Sequence, residues 1–211
     1  MDIQVWSDVV CPWCYLGKRR LEAAIAQFGG DVTVTFRAFQ LDPSRISEGR
    51  PAKEVAAAKF GEQVGQRYAH VTALGAGEGL RFDFDRAITA NTFDSHRLIA
   101  WAAGQERQAE MLEALQRAHF SDGLDLGSHK VLASVAWSIG LDAAAAGAYL
   151  SSEAGTGAVH ADLAEARELG ISSVPFFVID GKYAVQGAQE TSSLVSALHE
   201  IARREAVDAG R

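Results

Sequence analysis

The sequence lacks the features that mark membrane-spanning, nucleic-acid-binding and secreted proteins. It has 211 residues but no run of about 20 apolar residues, the length that a helix needs to span a bilayer. Lys and Arg number 20 against 27 Asp and Glu, and the net charge of −7 argues against a general affinity for nucleic acid or anionic lipid. The first residues, MDIQVWSDVV, have neither the basic nor the long apolar segment of a secretory signal. We therefore expect a cytoplasmic protein that binds neither nucleic acid nor membranes.

Cysteine is also scarce, with only Cys11 and Cys14 in the chain. A secreted disulfide scaffold would have more cysteines at wider spacing, and a bridge across two residues closes almost no loop. A zinc site would need two further ligands, whereas the six histidines are scattered without ligand spacing. The remaining interpretations are two inert cysteines in a helix or, as we favour, a redox-active pair.

Hydrophobic periodicity divides the chain into three parts. The first forty or so residues predict a strand, a helix that ends at Gly29-Gly30 and a second strand, with the helical crossover favouring parallel pairing. Residues 44–170 show only helical periodicity. The last part predicts strands from Pro175 to Ile179 and from Tyr183 to Gln186, then a helix from Thr191 to Ala206. We predict an α/β fold in which residues 1–43 and 171–211 form a mixed four-stranded sheet with its helices, and residues 44–170 form a large all-helical insertion domain.

The sharpest functional signal is Cys11-Pro12-Trp13-Cys14, between a predicted strand and a predicted helix. Unpaired N–H groups and the positive end of the dipole at a helix N-terminus stabilise a thiolate, so we expect a lowered pKa for Cys11. Pro12 suits the first helical position because its missing N–H would be unpaired there. Trp13 is expected to offer its ring to an apolar substrate segment. Cys11 is expected to be the accessible cysteine and Cys14 the more buried one.

A second signal is Val174-Pro175-Phe176-Phe177, in which a proline opens an apolar strand. Only about 5–6% of X–Pro bonds are cis. In this context, however, the segment resembles the cis-proline loop of the thioredoxin superfamily, which implies a cis Val174–Pro175 bond near Cys11. Such a bond would leave the backbone N–H and C=O of Val174 free to pair with an extended substrate peptide.

The order of motifs along the chain resembles the DsbA family and, within it, the cytoplasmic FrnE-like dithiol–disulfide oxidoreductases. The matching segments are SDVVCPWCYLG from Ser7, FQLDP from Phe39, NTFDSHRL from Asn91 and SVPFFV from Ser173. The resemblance implies a thioredoxin-like fold split by the helical insertion. It also implies thiol–disulfide exchange in which Cys11 forms the mixed disulfide and Cys14 resolves it.

The resemblance further assigns roles and partners. Cys11, Cys14 and Pro175 would be catalytic, and Pro12, Trp13 and Val174 would contact substrate. The chemistry requires no metal and no organic cofactor, because the redox-active group is the Cys11–Cys14 disulfide itself. Partners would be protein or small-molecule thiols and disulfides together with a redox partner, and glutathione can serve as a co-substrate.

The chain departs from the thioredoxin pattern at one position that matters for proton transfer. Thioredoxins often carry a buried carboxylate on the strand six residues before the first cysteine, where this chain has Val5. A proton acceptor near the pair must come from elsewhere, and Asp8 or water are the candidates. The second cysteine pair found near the C-terminus of some FrnE-like proteins is also absent.

Two other function classes remain open. The kappa glutathione transferases and 2-hydroxychromene-2-carboxylate isomerases resemble this chain in their split fold and asparagine motif, but they typically have serine in place of Cys11. Glu190 would be the glutathione-binding acid here, although a carboxylate in the first turn of a helix is favoured by the helix dipole alone. The non-enzymatic alternative is a chaperone-like peptide-binding module with incidental cysteines.

Asn91 and His96 have both structural and functional interpretations. The interpretation we favour for Asn91 is that it caps the helix that begins near Thr92. In the alternative, Asn91 and His96 lie on the surface of the insertion that covers Cys11, where a cationic His96 would favour the thiolate. Trp101 and Trp137 are expected in the core of the insertion.

Overall fold

A mixed four-stranded sheet lies at the centre of the molecule. The computed structural model describes residues 1–61 and 63–209. The strands are β1 (Asp2–Ser7), β2 (Thr33–Ala38), β3 (Phe176–Ile179) and β4 (Tyr183–Gln186), in the order β2-β1-β3-β4. β1 is parallel to β2 and antiparallel to β3, and β3 is antiparallel to β4. This sheet and its pairing confirm the fold class predicted from the sequence.

Helices account for most of the other described residues. α1 (Pro12–Phe28) connects β1 to β2, and the last helix packs against it. The helices between β2 and β3 are α2 (Ala52–Phe60), α3 (Gln63–Gly77), α4 (Phe93–Ala103), α5 (Gln108–Phe120), α6 (His129–Ser138), α7 (Ala143–Leu150) and α8 (Thr156–Glu168), and α9 (Thr191–Ala209) closes the fold. Among residues 1–61 and 63–209, every helix is too short or too polar to span a bilayer.

Both faces of β1 are covered, as its central position in the sheet requires. Ile3 and Val5 point into the main hydrophobic core. Trp6 points to the opposite face, is fully buried against Ala166 and Ile171, and donates its indole N–H to the Asp162 carbonyl at 3.2 Å. The strand therefore holds the start of α1 in a fixed place relative to the helical insertion.

The main core runs across the predicted domain boundary. Its buried members include Val5 and Phe177 from the sheet and Leu98, Leu115 and Leu132 from the helices. The division into residues 1–43 with 171–211 and residues 44–170 stays a prediction.

The expectation that Trp137 lies in the core is wrong. Its side chain is 70% exposed, whereas Trp101 is partly buried against the core. The reason is the orientation of α6, which buries Leu132, Val135 and Ala136. Trp137 follows Ala136 by about 100° around the helix and faces outward.

Arg97, in the segment NTFDSHRL, stabilises the insertion through buried hydrogen bonds. It is only 5% exposed, and its guanidinium donates to the backbone carbonyls of four residues: Tyr149, Leu150, Ser152 and Ala154. It also pairs with Asp94 at 2.7 Å. The C-terminal carbonyls of a helix lack hydrogen-bond donors within that helix, and the Arg97 guanidinium supplies such donors at the end of α7.

Replacing Arg97 with methionine should lower the free energy of unfolding by about 3 kcal/mol, because it leaves several buried carbonyls without a donor. Urea unfolding followed by circular dichroism measures the change. The matched control is Arg204→Met, since Arg204 pairs with Glu200 on the exposed face of α9 and should leave the unfolding midpoint nearly unchanged. Equal losses in the two variants would contradict this stabilising role.

Candidate active site

The two cysteines lie at the start of α1. Cys11 is the N-cap residue, its N–H donates to the Asp8 carbonyl at 3.1 Å, and its carbonyl accepts the N–H of Cys14 at 3.0 Å. Pro12 occupies the first turn. Both cysteines are unbonded thiols. Cys11 thus lies at the N-terminus, the positive end of the dipole, of a 17-residue helix.

The expectation that Cys11 is accessible is wrong, and Cys14 is only slightly the more buried of the two. Cys11 is 4% exposed and Cys14 is 2% exposed, so both are buried. The loop before β3 accounts for part of the burial of Cys11, because the Val174 carbonyl lies 3.9 Å from its sulfur. A substrate must therefore move or replace this loop contact to reach the Cys11 sulfur.

The Val174–Pro175 peptide bond is cis, and the proline ring packs directly on α1. A Cβ atom at Gly17 would lie 2.8 Å from the Cγ atom of Pro175, a distance that real Cβ contacts essentially never show. Gly17 is therefore the residue that allows the loop to approach the helix. On the other side, the Pro175 carbonyl accepts the N–H of Gly187 at 2.8 Å and ties the loop to the end of β4.

Burial raises the pKa of the Cys14 thiol well above its ordinary range. A hydrogen bond and the charge of Cys11 raise the pKa further, a hydrogen bond from the Asp8 backbone lowers it, and the negative charge of Asp8 raises it again. Cys14 therefore holds its proton firmly in this state.

Asp8 is a carboxylate only 1% exposed, at the turn between β1 and α1. Its Oδ2 atom accepts the backbone N–H of Leu41 at 2.8 Å. Its Oδ1 atom is 3.4 Å from Nε2 of His96 and has no hydrogen-bond partner among the described residues. His96 is itself buried and lies 3.0 Å from the Phe39 carbonyl.

His119, on α5, is the second buried group of this cluster with an unpartnered atom. Its Nδ1 has no hydrogen-bond partner among the described residues, and burial lowers its pKa to about 4, partly offset by the charge of Asp8. At neutral pH the ring is therefore neutral. The sequence interpretation missed His119, although its spacing from Leu112 and Leu115 places it on the apolar face of α5.

A cavity of about 260 Å³ opens beside these groups. Asp8, Pro12 and His119 line it, together with aromatic side chains that include Tyr68 and Phe120. It lies between the start of α1 and the first helices of the insertion. The cavity is a mostly apolar space with a small polar region, and Pro12, the residue after Cys11, forms part of its wall.

Trp13 and His96, two further residues predicted to contact substrate, have different neighbours. Trp13 is 38% exposed, and its ring centre lies 5.9 Å from that of His70 on α3. The contacts of His96 within residues 1–61 and 63–209 are with Phe39 and Asp8, not with Cys11.

Both the oxygen and the nitrogen of the Asn91 side-chain amide form hydrogen bonds within the fold. Its oxygen accepts the Phe93 N–H at 2.9 Å and an N–H of Gln40 Nε2, while the N-cap residue of α4 is the next residue, Thr92. Its Nδ2 donates to the carbonyls of Pro43 and Arg45. It thereby holds the chain after β2 against the start of α4.

Comparison with known proteins identifies the family. The model of the DSBA-like thioredoxin domain matches residues 2–199. The chain belongs to this DSBA-like family. The match spans the sheet and the helical insertion together, and no cluster of three or more potential metal ligands exists in the described part of the chain.

Relatives of the DSBA-like chain are similar over most of its length. The crystal structure of probable DsbA oxidoreductase SCO1869 from Streptomyces coelicolor is 37% identical, with a TM-score of 0.89 over 95% of this chain and 89% of that one. The uncharacterized protein YwbO of Bacillus subtilis (strain 168) is 28% identical over 194 residues, 89% of this chain and 90% of YwbO. Family membership and the SCO1869 structure support thiol–disulfide oxidoreductase activity.

More distant structures share the fold alone. A 2-hydroxychromene-2-carboxylate isomerase matches with a TM-score of 0.74 and 18% identity over 98% of each chain. The cytosolic disulfide reductase DsbM from Pseudomonas aeruginosa matches with a TM-score of 0.66 and 20% identity over 96% of this chain and 99% of DsbM. A second DsbM structure contains glutathione.

His119 should make stability depend on pH. Its pKa falls from about 6.5 in the unfolded chain to about 4 in the fold, so the unfolded state binds more protons between these values and stability is lost as pH falls from 6.5 toward 4. Urea unfolding should show a wild-type loss of about 2 kcal/mol from this group between pH 7 and pH 5. His119→Gln should lack that part of the loss, while the exposed-residue control His160→Gln keeps it. Identical pH profiles for all three proteins would disprove the assignment.

Alkylation should distinguish the two cysteines despite their similar burial. At mildly acidic pH, iodoacetamide should label Cys11 before Cys14, because burial and negative charge raise the pKa of Cys14 whereas Cys11 caps a helix. Peptide mapping of a time course measures the order. Equal labelling, or Cys14 first, would contradict the assignment of Cys11 as the nucleophile.

Proposed function

We propose that this protein is a reversible dithiol–disulfide oxidoreductase that acts through the Cys11–Cys14 pair. The observation that carries the proposal is the position of Cys11, at the N-terminus of α1 and facing the Val174 carbonyl that precedes cis-Pro175. In this place the sulfur lies at the positive end of the helix dipole, and the backbone of the loop before β3 lies beside it.

In the reductive direction the Cys11 thiolate attacks a substrate disulfide. A bond forms between Cys11 and one substrate sulfur, and the other substrate sulfur leaves as a thiolate. Cys14 then attacks Cys11, closes the Cys11–Cys14 disulfide and releases the second substrate thiolate. A thiol donor returns the pair to the dithiol form, and glutathione is a donor of the required chemistry.

Substrate recognition would use the surfaces next to Cys11. An extended peptide can pair with the backbone at Val174 as an added strand, and Trp13, 38% exposed, offers an apolar contact. Pro12 faces the cavity, where an apolar substrate group can enter. We further propose that residues 44–170 act as the substrate-facing domain of a cytoplasmic, FrnE-like protein, in which a reducing compartment favours the reductive direction. The cytosolic location and reductase activity stated for DsbM support this part of the proposal.

Glutathione-dependent isomerisation is the second candidate function. The fold shared with the 2-hydroxychromene-2-carboxylate isomerase favours it. Two features of the chain favour disulfide exchange instead. Cys11 stands where such isomerases typically have serine, and Glu190, the candidate glutathione ligand, forms an ion pair with the buried Arg20 at 2.8 Å.

The proposal predicts a specific pattern of insulin reduction with glutathione or dithiothreitol as the donor. The wild type should turn over, Cys11→Ser should be inactive, and Cys14→Ser should accumulate mixed disulfide because the resolving sulfur is missing. Turbidity follows the reduction, and non-reducing mass spectrometry detects the mixed disulfide.

The same variants separate the alternatives. Suppression of aggregation that survives in Cys11→Ser, without any reductase activity in the wild type, would favour the chaperone-like module. Tight glutathione binding with isomerase turnover retained in Cys11→Ser would favour the isomerase class. Either outcome would refute the proposed function.

A further inference from the structure

Arg20 is a buried cation on α1 that the mechanism above does not use. It is only 4% exposed, and arginine is almost never fully buried unless it is paired. Its guanidinium has partners in three directions: Nε donates to Glu78 at 3.0 Å, Nη1 donates to the Ala188 carbonyl at 2.9 Å, and Nη2 pairs with Glu190 at 2.8 Å. One side chain thus joins the redox helix to the residue after α3 and to residues 187–190, the turn between β4 and α9.

The 187–190 turn also holds the loop before β3. Within this turn, the Gly187 N–H donates to the Pro175 carbonyl at 2.8 Å. The carbonyl of the preceding residue, Val174, lies 3.9 Å from the Cys11 sulfur. Arg20 is therefore connected to the cover of Cys11 through a short series of contacts.

Gly17 and Arg20 lie one turn apart on α1 and both contact this turn. A Cβ atom at Gly17 would lie 3.5 Å from the Cα atom of Ala188, so the helix and the turn pack closely there. Such packing has no preferred direction, whereas hydrogen bonds do. The bonds from Arg20 therefore determine where the 187–190 turn lies along α1.

The third partner of Arg20 connects α1 to the helical insertion. Glu78 directly follows α3, the helix that contributes Tyr68 to the cavity wall. The same helix carries His70, whose ring centre lies 5.9 Å from that of Trp13. Arg20 thus holds the two segments that flank the start of α1, one from the insertion and one from the C-terminal part of the chain.

This arrangement requires a guanidinium, because its N–H groups lie in one plane and point in fixed directions. Burying an ion pair contributes little net stability, since the loss of hydration offsets much of the attraction. The main consequence of the three contacts is therefore the relative position of the segments that they join.

We propose that Arg20 is a positioning residue that holds the loop before β3 over Cys11 and so favours peptide disulfides over small ones. An extended peptide gains hydrogen bonds to the fixed backbone at Val174, whereas a small disulfide must displace the loop without that gain. Arg20 takes no part in the bond changes: Cys11 still forms the bond to one substrate sulfur, and the other still leaves as a thiolate. This inference rests on the proposed function, since it concerns which disulfides Cys11 attacks.

The test compares two uncharged substrates, so that the loss of a cation does not alter their attraction to the protein. One is a neutral extended peptide with an internal disulfide, and the other is 2-hydroxyethyl disulfide. Reduced protein is mixed with each substrate, quenched with acid at set times and analysed by mass spectrometry, which gives a rate constant for each.

Arg20→Met keeps much of the side-chain volume and removes the three contacts. The rate constant for the peptide should fall about tenfold, because its backbone partner is no longer held in place, and that for 2-hydroxyethyl disulfide should rise severalfold. The matched control is Arg19→Met, since Arg19 is the neighbouring cation of α1 and pairs with Glu113 at 2.7 Å. This control should change neither rate constant by more than about twofold.

The opposite directions of the two changes separate positioning from other effects of the substitution. If Arg20 acted only through its charge, its removal would disfavour the Cys11 thiolate and slow both reactions. If it acted only on stability, the ratio of the two rate constants would stay the same below the unfolding transition. Iodoacetamide should also label Cys11 faster in Arg20→Met, because the loop covers the sulfur less firmly.

An unchanged ratio of the two rate constants in Arg20→Met, with an active wild type, would overturn the inference alone. A wild type that reacts with neither disulfide would refute the proposed function as well. Should Arg20→Met fail to fold by circular dichroism, Glu190→Gln replaces it, because Glu190 is 66% exposed and its loss leaves the core intact. The ratio should then shift in the same direction by about threefold, the effect of one weakened contact, and no shift would again overturn the inference.

Discussion

The packing of Pro175 on Gly17 is the contact on which the site depends. Cys11 and Val174 are 163 positions apart, and this contact places the loop before β3 against the first turn of α1. A side chain on Gly17 would meet the proline ring at 2.8 Å, so only glycine allows the approach. The pairing of Trp6 in β1 with Phe176 in β3 holds the same two parts of the chain together within the sheet. Segments from the two ends of the chain thus together form the surroundings of Cys11.

Asp8 and His119, the two buried groups with unpartnered atoms, reduce stability rather than add to it. A carboxylate with an unpaired oxygen and a histidine held neutral by burial both cost free energy relative to an apolar core. Such groups persist where function needs them, because selection removes only the destabilisation that threatens the folded state. Asp8 and His119 differ in this respect from Arg97, whose donors are all satisfied within the fold.

Patterns that are local in sequence predicted the sheet and the redox pair. Alternation in β1 and β2, the Asp180-Gly181 turn and the i,i+3 cysteines each depend on neighbouring residues. The burial of Cys11 could not be predicted in the same way, because the covering group comes from the loop at Val174. His119 was missed for a related reason. Its position on an apolar helix face is visible in the sequence, but its closeness to Asp8 is set by how α5 packs against the sheet.

The helical insertion contributes two kinds of residue to the surroundings of Asp8 and of the cavity. They differ in how firmly the hydrophobic core fixes their positions. His96 and His119 come from α4 and α5, which share the main core with the sheet, so their distance from Asp8 is fixed by packing. α2 lines the same cavity through Val55 and Phe60, yet it contains no buried residue. Substitutions in α2 can therefore change which groups enter the cavity at little cost to the core, whereas substitutions in α4 or α5 act on the buried carboxylate itself. The cavity wall and the buried histidines beside Asp8 thus come in part from different helices of one insertion.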